Sequence, residues 1–408
     1  MHILYLKTAG FDNAAVGGSI THTIGMINGF VEAGADITVL TSERINLIRA
    51  KQEVINVKPC IKIPYISNYI YAKRMKKEVK SWLKSDNGHY DFVYYRYAPF
   101  FDVGLLIAKK KGISSVLEFN SFQIDTFYDM FIDTAKKTQR KLINFFITCM
   151  APFVAWLIKK YEDRIISGTD KFITVSQVNK LALISRYNIG TDQVKVIPNG
   201  VDTRIFQDNP DFALALKKEL HIPEDKNIVG FAGTFGNWHG IPELTDAIAK
   251  IASNENLFFL IMGKGPMRES MQQRLSGFSN VYFSGVVSYD QMPRYLSVCD
   301  ILILSNSWKP KSGSQFFGSP TKLFEYMSMG KAIVATNLGQ VGDVLEHENT
   351  ALLCEPGSSD DISSAIMRYV RDKDIRVKTG KNARKIAEEK YTWRLNAQTA
   401  IAFICETE

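Results

Sequence analysis

Two successive runs of one alternation, short apolar strand, small-residue loop, amphipathic helix, set the strongest limit on what this chain can fold into. Residues 2–6 are apolar and β-prone. A Gly-containing loop follows, and Ser19 is placed to cap a helix whose Ile20, Ile24, Ile27, Phe30 and Val31 recur at helical spacing. Gly34 ends that helix, and further strands are predicted at 37–40, 92–95, 115–119 and 171–175. The turn-rich segment 196–202 closes the first run. The second opens with a strand at 228–233 and a helix at 243–251, then strands at 257–262, 281–283, 301–304 and 332–335, with a helix around 324–329. Such alternation folds as a doubly wound parallel sheet. The expectation is therefore α/β, with two Rossmann-like domains facing a cleft. Residues 1–203, joined by a C-terminal helix at about 388–408, form the first domain, and residues 204–387 the second.

Composition agrees with two cores. A chain of 408 residues exceeds the size at which single cores stop growing, roughly 250–300 residues, and 12% aromatics exclude a disordered chain. The net charge of +8 is uneven: residues 1–200 hold 27 Lys+Arg against 17 Asp+Glu, and residues 201–408 hold 23 against 25. The halves are expected to face different partners. No zinc-finger spacing, RNP-type aromatic motif or basic heptad helix is present, which sets nucleic acid aside. The five cysteines are scattered without a C-x-x-C pair, so neither a disulfide framework nor a zinc site is implied. With no signal-peptide pattern at residues 2–7, a cytoplasmic protein is expected.

Residues 142–158 run 17 positions without a formal charge, flanked by Lys136, Lys137, Arg140 and Lys141 before and Lys159 and Lys160 after. A spanning helix needs about 20 apolar residues, and Asn144 and Pro152 interrupt this run. Two readings remain: an interfacial helix with Phe145, Phe146, Phe153 and Trp156 in a bilayer, or a core helix or hairpin bent at Pro152. The basic segment 73–84 suits an anionic leaflet or is a solvated helix face.

Three loops of the second half converge on nucleotide chemistry. Residues 231–240 contain Gly233, Thr234 and His239 between a strand and a helix, where glycines let ligand atoms approach backbone N–H groups. Gly263-Lys264-Gly265-Pro266 repeats the design, but Arg268 stands where a dinucleotide fingerprint needs a third glycine, so NAD and FAD are disfavoured. In Ser319-Pro320-Thr321-Lys322-Leu323-Phe324-Glu325-Tyr326-Met327, Ser319 or Thr321 is placed to cap a helix whose N-terminus attracts phosphate. Lys322 adds a positive charge, and Glu325, one turn in, suits the vicinal hydroxyls of a ribose.

Together with Gly17-Gly18-Ser19, Ile197-Pro198-Asn199-Gly200-Val201-Asp202 and Cys299-Asp300, these motifs resemble glycosyltransferase family four, whose members are retaining enzymes of the two-Rossmann glycosyltransferase B fold. The resemblance covers nearly the whole chain. It implies sugar transfer from a nucleotide diphosphate sugar, expected here as a UDP-sugar, without a metal or other cofactor. The expected acceptor is a membrane-associated, lipid-linked glycan in surface polysaccharide or glycolipid synthesis. The basic, aromatic first half adds the expectation of peripheral attachment to the inner face of the cell membrane. By the same resemblance Glu325 holds the ribose, the loop at Gly17 and Gly18 approaches the diphosphate or acceptor, and Asn120 lies near the sugar.

Three departures from the family pattern stand out. The Arg and Lys that commonly clamp the diphosphate fall at Thr234 and His239, leaving Lys322 and then Lys264 as candidate cations. The family's earlier glutamate falls at Phe317, so backbone or Gln315 contacts are the candidate replacements. The first-domain His is Asn120, which shares a strand face with Glu118, and Glu118 either touches the sugar or makes a structural hydrogen bond. Two alternatives share the fold: a nucleotide-sugar epimerase, and a non-catalytic nucleotide-sugar-binding partner. Asp372-Lys373-Asp374, the one Asp-x-Asp match, falls in a polar helical region and is set aside.

Overall fold

A computed structural model describes residues 1–7, 18–42, 45, 47, 50–55, 57, 65–125, 127, 141–307 and 318–406, with backbone alone for Ile66, residues 141–148 and Asn237. The described chain divides into two compact units. One is built on Met1–Pro198 and the terminal helix Trp393–Cys405, the other on Asn199–Lys309 and Ser319–Thr392.

In the first unit β1 (His2–Leu6), β2 (Asp36–Thr41), β3 (Lys51–Val54), β4 (Phe92–Arg96), β5 (Ser114–Phe119), β6 (Lys171–Thr174) and β7 (Val194–Val196) form a parallel sheet in the order β3-β2-β1-β4-β5-β6-β7. Side chains alternate across it. Leu4 and Leu6 enter one core, while Ile3 and Tyr5 enter another with Met26, Ile27 and Phe30 of the helix Gly18–Glu32. Trp393 fills the space above Gly25 and Gly29 of that helix. A Cβ on Gly25 would lie 2.2 Å from the indole.

The second unit repeats the topology with β8 (Asn227–Thr234), β9 (Leu257–Lys264), β10 (Val281–Gly285), β11 (Ile301–Leu304), β12 (Ala332–Thr336) and β13 (Leu352–Cys354), ordered β10-β9-β8-β11-β12-β13 and all parallel. Strand order therefore reverses beside β1 in one sheet and beside β8 in the other. In open α/β sheets that reversal opens a crevice at the carboxyl ends of the strands.

The predicted strands are all present. Three more, β3, β7 and β13, are short and lie at sheet edges; Lys51-Gln52-Glu53-Val54 has no apolar run for a sequence reading to find. The helix expected after Ser19 begins at Gly18, so Ser19 lies inside it and is not its cap. Residues 142–158 belong to one continuous helix, Lys141–Ser167, with Pro152 inside it rather than at a hairpin bend. Its Ala155, Ile158, Ile165 and Ile166 are buried, while Met150, Phe153 and Trp156 are exposed. Among the described residues no helix is long and apolar enough to cross a membrane. In the helix Ile66–Ser85, Met75 and Val79 pack inward and Lys73, Arg74, Lys77 and Lys80 face solvent. Lys136, Lys137 and Arg140 lie outside the described residues.

Candidate functional site

The switch point of the second sheet collects the polar groups. β8 and β9 end in register, Gly233 opposite Gly263 and Thr234 opposite Lys264. The glycines of the second loop serve the fit between the two loops. Gly263 has φ +128° and a Cβ there would lie 1.8 Å from Gly233 O, while a Cβ on Gly265, at φ +151°, would meet Phe235 N at 2.5 Å. Backbone bonds lock the contact: Phe235 N–H donates to Lys264 O at 2.9 Å and Met267 N–H to Phe235 O at 3.1 Å. Thr234 and the Lys264 side chain are exposed at this rim.

Beyond Phe235 the chain turns through Trp238 and His239. The loop after β11 holds this turn, because Ser305 Oγ donates to His239 O at 2.8 Å and Asn306 Nδ2 to Trp238 O at 3.1 Å. Asn306 is buried and its Oδ1 accepts no hydrogen bond among the described residues. Ser305 and Asn306 had only a weak sequence signal, a polar pair directly after the strongly apolar β11.

The helix Thr321–Met329 begins beside these loops. Its N-cap is Pro320, with no side-chain cap, so neither Ser319 nor Thr321 caps it as expected. Ser319 is engaged elsewhere: Asn199 N–H donates to its Oγ at 3.2 Å, and Asn199 Nδ2 donates to its carbonyl. The Pro198-Asn199-Gly200 turn thus fixes the entry to the helix. Leu323 is fully buried and its N–H donates to Pro320 O at 3.0 Å, which makes it a packing residue rather than a phosphate donor. Tyr326, one turn on, ties the helix to β8 by accepting from Ala232 N–H at 2.9 Å.

Lys322 and Glu325 are half-buried on this helix. Lys322 Nζ lies 3.0 Å from His239 Nδ1 and 4.9 Å from the Phe231 ring centre. Burial lowers the Lys322 ammonium to about 7, with Glu325 opposing. Burial likewise pushes the Glu325 carboxyl up to about 7, with Lys322 opposing. Burial, the larger cause, holds His239 down at about 2, a charge on Lys322 would act the same way, and His239 Nε2 accepts from Trp238 Nε1 at 3.0 Å. The site therefore holds groups of both signs that burial drives toward their neutral forms. An anion at the uncapped helix end would reverse that balance for Lys322.

The first sheet brings together a different cluster. Glu118, fully buried on β5, accepts at Oε2 from His22 Nε2 (2.7 Å) and Tyr94 OH (3.0 Å), and at Oε1 from Asn120 Nδ2 (2.9 Å), with Arg96 Nε at 3.4 Å. Burial by itself would raise this carboxyl, but His22, Arg96 and Asn120 hold it at about 2. Of the two roles expected for Glu118 the structure shows the structural one. Arg96 also donates to Ser19 Oγ at 3.0 Å, beside Gly18 at the helix start. Asn120 keeps a buried Oδ1 that accepts no hydrogen bond among the described residues, although its carbonyl accepts from Asn179 Nδ2 at 2.6 Å. Sequence reading missed His22, Tyr94 and Arg96, whose spacing from Glu118 is set only by strand order. Gly17, Gln315 and Phe317 fall outside the described residues.

Residues 214–386 match the family model for glycosyl transferases group 1, and residues 16–205 match that for glycosyltransferase family 4. Each half of the chain is thus similar to a glycosyltransferase family. An uncharacterized glycosyltransferase of Methanocaldococcus jannaschii is 27% identical over 226 residues, 54% of this chain and 56% of that protein. The GDP-mannose-dependent α-(1-6)-phosphatidylinositol monomannoside mannosyltransferase of Mycobacterium tuberculosis is 23% identical over 234 residues, 56% of this chain and 60% of the relative. The chain thus spans little more than half the length of the curated relatives it matches. The crystal structure of Anabaena HepE in complex with UDP superposes over 100% of both chains with a TM-score of 0.69 at 18% identity. The shared architecture is the glycosyltransferase B fold.

Proposed function

We propose that this chain is a retaining glycosyltransferase that moves a sugar from a nucleotide diphosphate sugar, a UDP-sugar before others, to a membrane-associated, lipid-linked glycan acceptor in surface polysaccharide or glycolipid synthesis. The observation that carries the reading is the pair Lys322 and Glu325 at an uncapped helix N-terminus, set where the strand order of the second sheet reverses.

Breaking the glycosidic bond builds positive charge on the sugar and negative charge on the departing diphosphate. Fixed positive groups aimed at that anion stabilise the transition state more than the ground state. Lys322 and the N–H groups of the helix end take this role, with Lys264 at the rim, and no metal enters the scheme. Glu325 accepts from the ribose hydroxyls. In the first domain Asn120, its Nδ2 fixed by Glu118, offers Oδ1 as an acceptor for a sugar hydroxyl. The donor reading draws support from HepE, whose crystal form holds UDP.

The acceptor reading rests on the helix Lys141–Ser167. Phe153 and Trp156 are each 54% exposed and stack at 5.9 Å, and Lys160 Nζ lies 4.8 Å over the Trp156 ring. Aromatics beside lysines suit the headgroup level of an anionic leaflet, which supports the reading of a peripheral protein on the inner face of the cell membrane. The mycobacterial relative, by its name, acts on a phosphatidylinositol mannoside.

Thermal-shift titration with UDP-, GDP- and ADP-sugars tests the donor step, since a ligand that binds only the folded form raises its stability in proportion to the logarithm of concentration over Kd. Release of free nucleotide only when acceptor is added then identifies transfer. Release without acceptor, or binding without turnover, refutes it in favour of an epimerase-type or non-catalytic protein.

A further inference from the structure

The ring of His239 faces two groups that, in their usual forms, only donate hydrogen bonds. Trp238 Nε1 lies 3.0 Å from its Nε2, and Lys322 Nζ lies 3.0 Å from its Nδ1. An indole N–H has no lone pair to offer, so Nε2 is the acceptor and the single proton of the neutral imidazole sits on Nδ1. That proton points at Lys322 Nζ, which receives it only as an uncharged amine. An ammonium in the same place would set N–H against N–H.

The surroundings of Nζ favour the same form. The Phe231 ring lies 4.9 Å away on one side, and Gly233, whose Cβ position is 3.1 Å from Nζ, leaves room for no polar side chain there. Among the described residues the acid facing Lys322 is Glu325 on its own helix, itself faced by Tyr289 from the segment after β10. From the loop after β8 it meets His239, a ring that burial keeps neutral. Desolvation lowers the lysine to about 7, in keeping with the hydrogen-bond pattern.

We infer that His239, fixed by Trp238, holds Lys322 as a neutral amine in the unliganded protein, and that a nucleotide diphosphate draws one proton into the site as it binds. This rests on the donor reading above. The protons balance. His239 passes its Nδ1 proton to Lys322 Nζ, making the ammonium that meets the diphosphate. Trp238 leaves Nε2, and Nε2 takes one proton from water. The imidazole ends neutral in its other tautomer, accepting at Nδ1 from the new ammonium, and the net uptake is one proton. Trp238 is 49% exposed, so its N–H finds water when it departs. His239 is thus a positioning residue that acts through Lys322, in the place where the resembling family commonly has a fixed cation.

Calorimetry of UDP binding to the whole chain between pH 7.0 and 8.5, in buffers of different ionisation enthalpy, tests this. The second ionisation of a phosphate lies near 6, so the ligand changes little across that window. The expected result is a buffer-dependent enthalpy that reports uptake approaching one proton at pH 8.5, and a Kd that rises on the order of tenfold from pH 7.0 to 8.5. In Lys322→Arg, whose guanidinium stays charged, uptake vanishes. His239→Gln, which offers an oxygen acceptor to an ammonium, also loses the uptake and binds UDP at pH 8.5 at least as tightly as wild type, where a merely structural role predicts weaker binding. A buffer-independent enthalpy with a pH-flat Kd in the wild type overturns the inference and leaves the donor reading standing. Proton uptake that persists in Lys322→Arg overturns it by placing the titrating group elsewhere. Failure of UDP, GDP and ADP to bind at any pH overturns the donor reading as well.

Discussion

Two carboxyl groups in similar folds meet opposite fates. Glu118, on the first sheet, is wholly buried yet held at about 2, because His22, Tyr94 and Asn120 hydrogen-bond to it and Arg96 stands beside it. Glu325, in the second domain, is half-buried yet pushed up to about 7, because burial outweighs the field of Lys322. Partners rather than depth decide which carboxylate is comfortable. A satisfied buried network adds to stability, whereas an under-satisfied one keeps its groups for a ligand.

The largest expected break in this contrast is Glu118→Ala. It strands His22 and Arg96, and loss of one partner from a buried charged pair costs about 3–5 kcal/mol, readable as a lower urea midpoint for the first domain. The pH dependence has a fixed sign. A carboxyl at about 2 when folded, against an ordinary 4.5, contributes stability that is complete above pH 4.5 and lost as pH falls toward 2. Urea melts through that window check it, and Glu118→Gln should flatten that part of the profile.

Glu325→Ala should act the other way round. Transfer falls about 100-fold, some 3 kcal/mol of transition-state stabilisation, while the melting temperature does not fall. Wild-type-like turnover would remove Glu325 from the ribose site. Next in size, replacing both Phe153 and Trp156 by Ser should weaken co-sedimentation with anionic vesicles about tenfold. Unfolding free energy should shift by no more than about 0.5 kcal/mol, as befits exposed positions. The smallest effect is that of Lys322→Met on stability. Burying Lys322 costs the folded state at neutral pH, because the amine gives up its proton to sit there, so its removal should raise stability by roughly 1 kcal/mol while UDP binding weakens. A drop in melting temperature would show that Lys322 stabilises the fold, and the contrast between the domains would fail.

Much of the second-domain site was legible because its residues are close in sequence or sit at repeated strand ends. Glycine loops after β8 and β9, and Lys322 and Glu325 one turn apart, are patterns a linear reading finds. The assignment of roles was less legible. Ser319 looked like a cap and is instead held by Asn199, 120 positions away. Leu323, inside the motif read as nucleotide-binding, lies in the core. Glu118 had two open roles, sugar contact or a structural hydrogen bond, and is taken up by His22, 96 positions away, and by Tyr94.

The linear chain already carried the periodicity: twofold strand and helix alternation, apolar strands buried on both faces, and loops where ligands of such sheets bind. These follow from local spacing, since alternation and helical repeat are properties of short segments. Which polar groups are satisfied was settled in three dimensions. Partnership depends on strand order, which brings β4 and β5 beside each other and sets the loop after β11 against Trp238 and His239. It also sets burial, and burial pushes a carboxyl up where partners are few, as at Glu325, but not where His22, Arg96 and Asn120 surround it, as at Glu118.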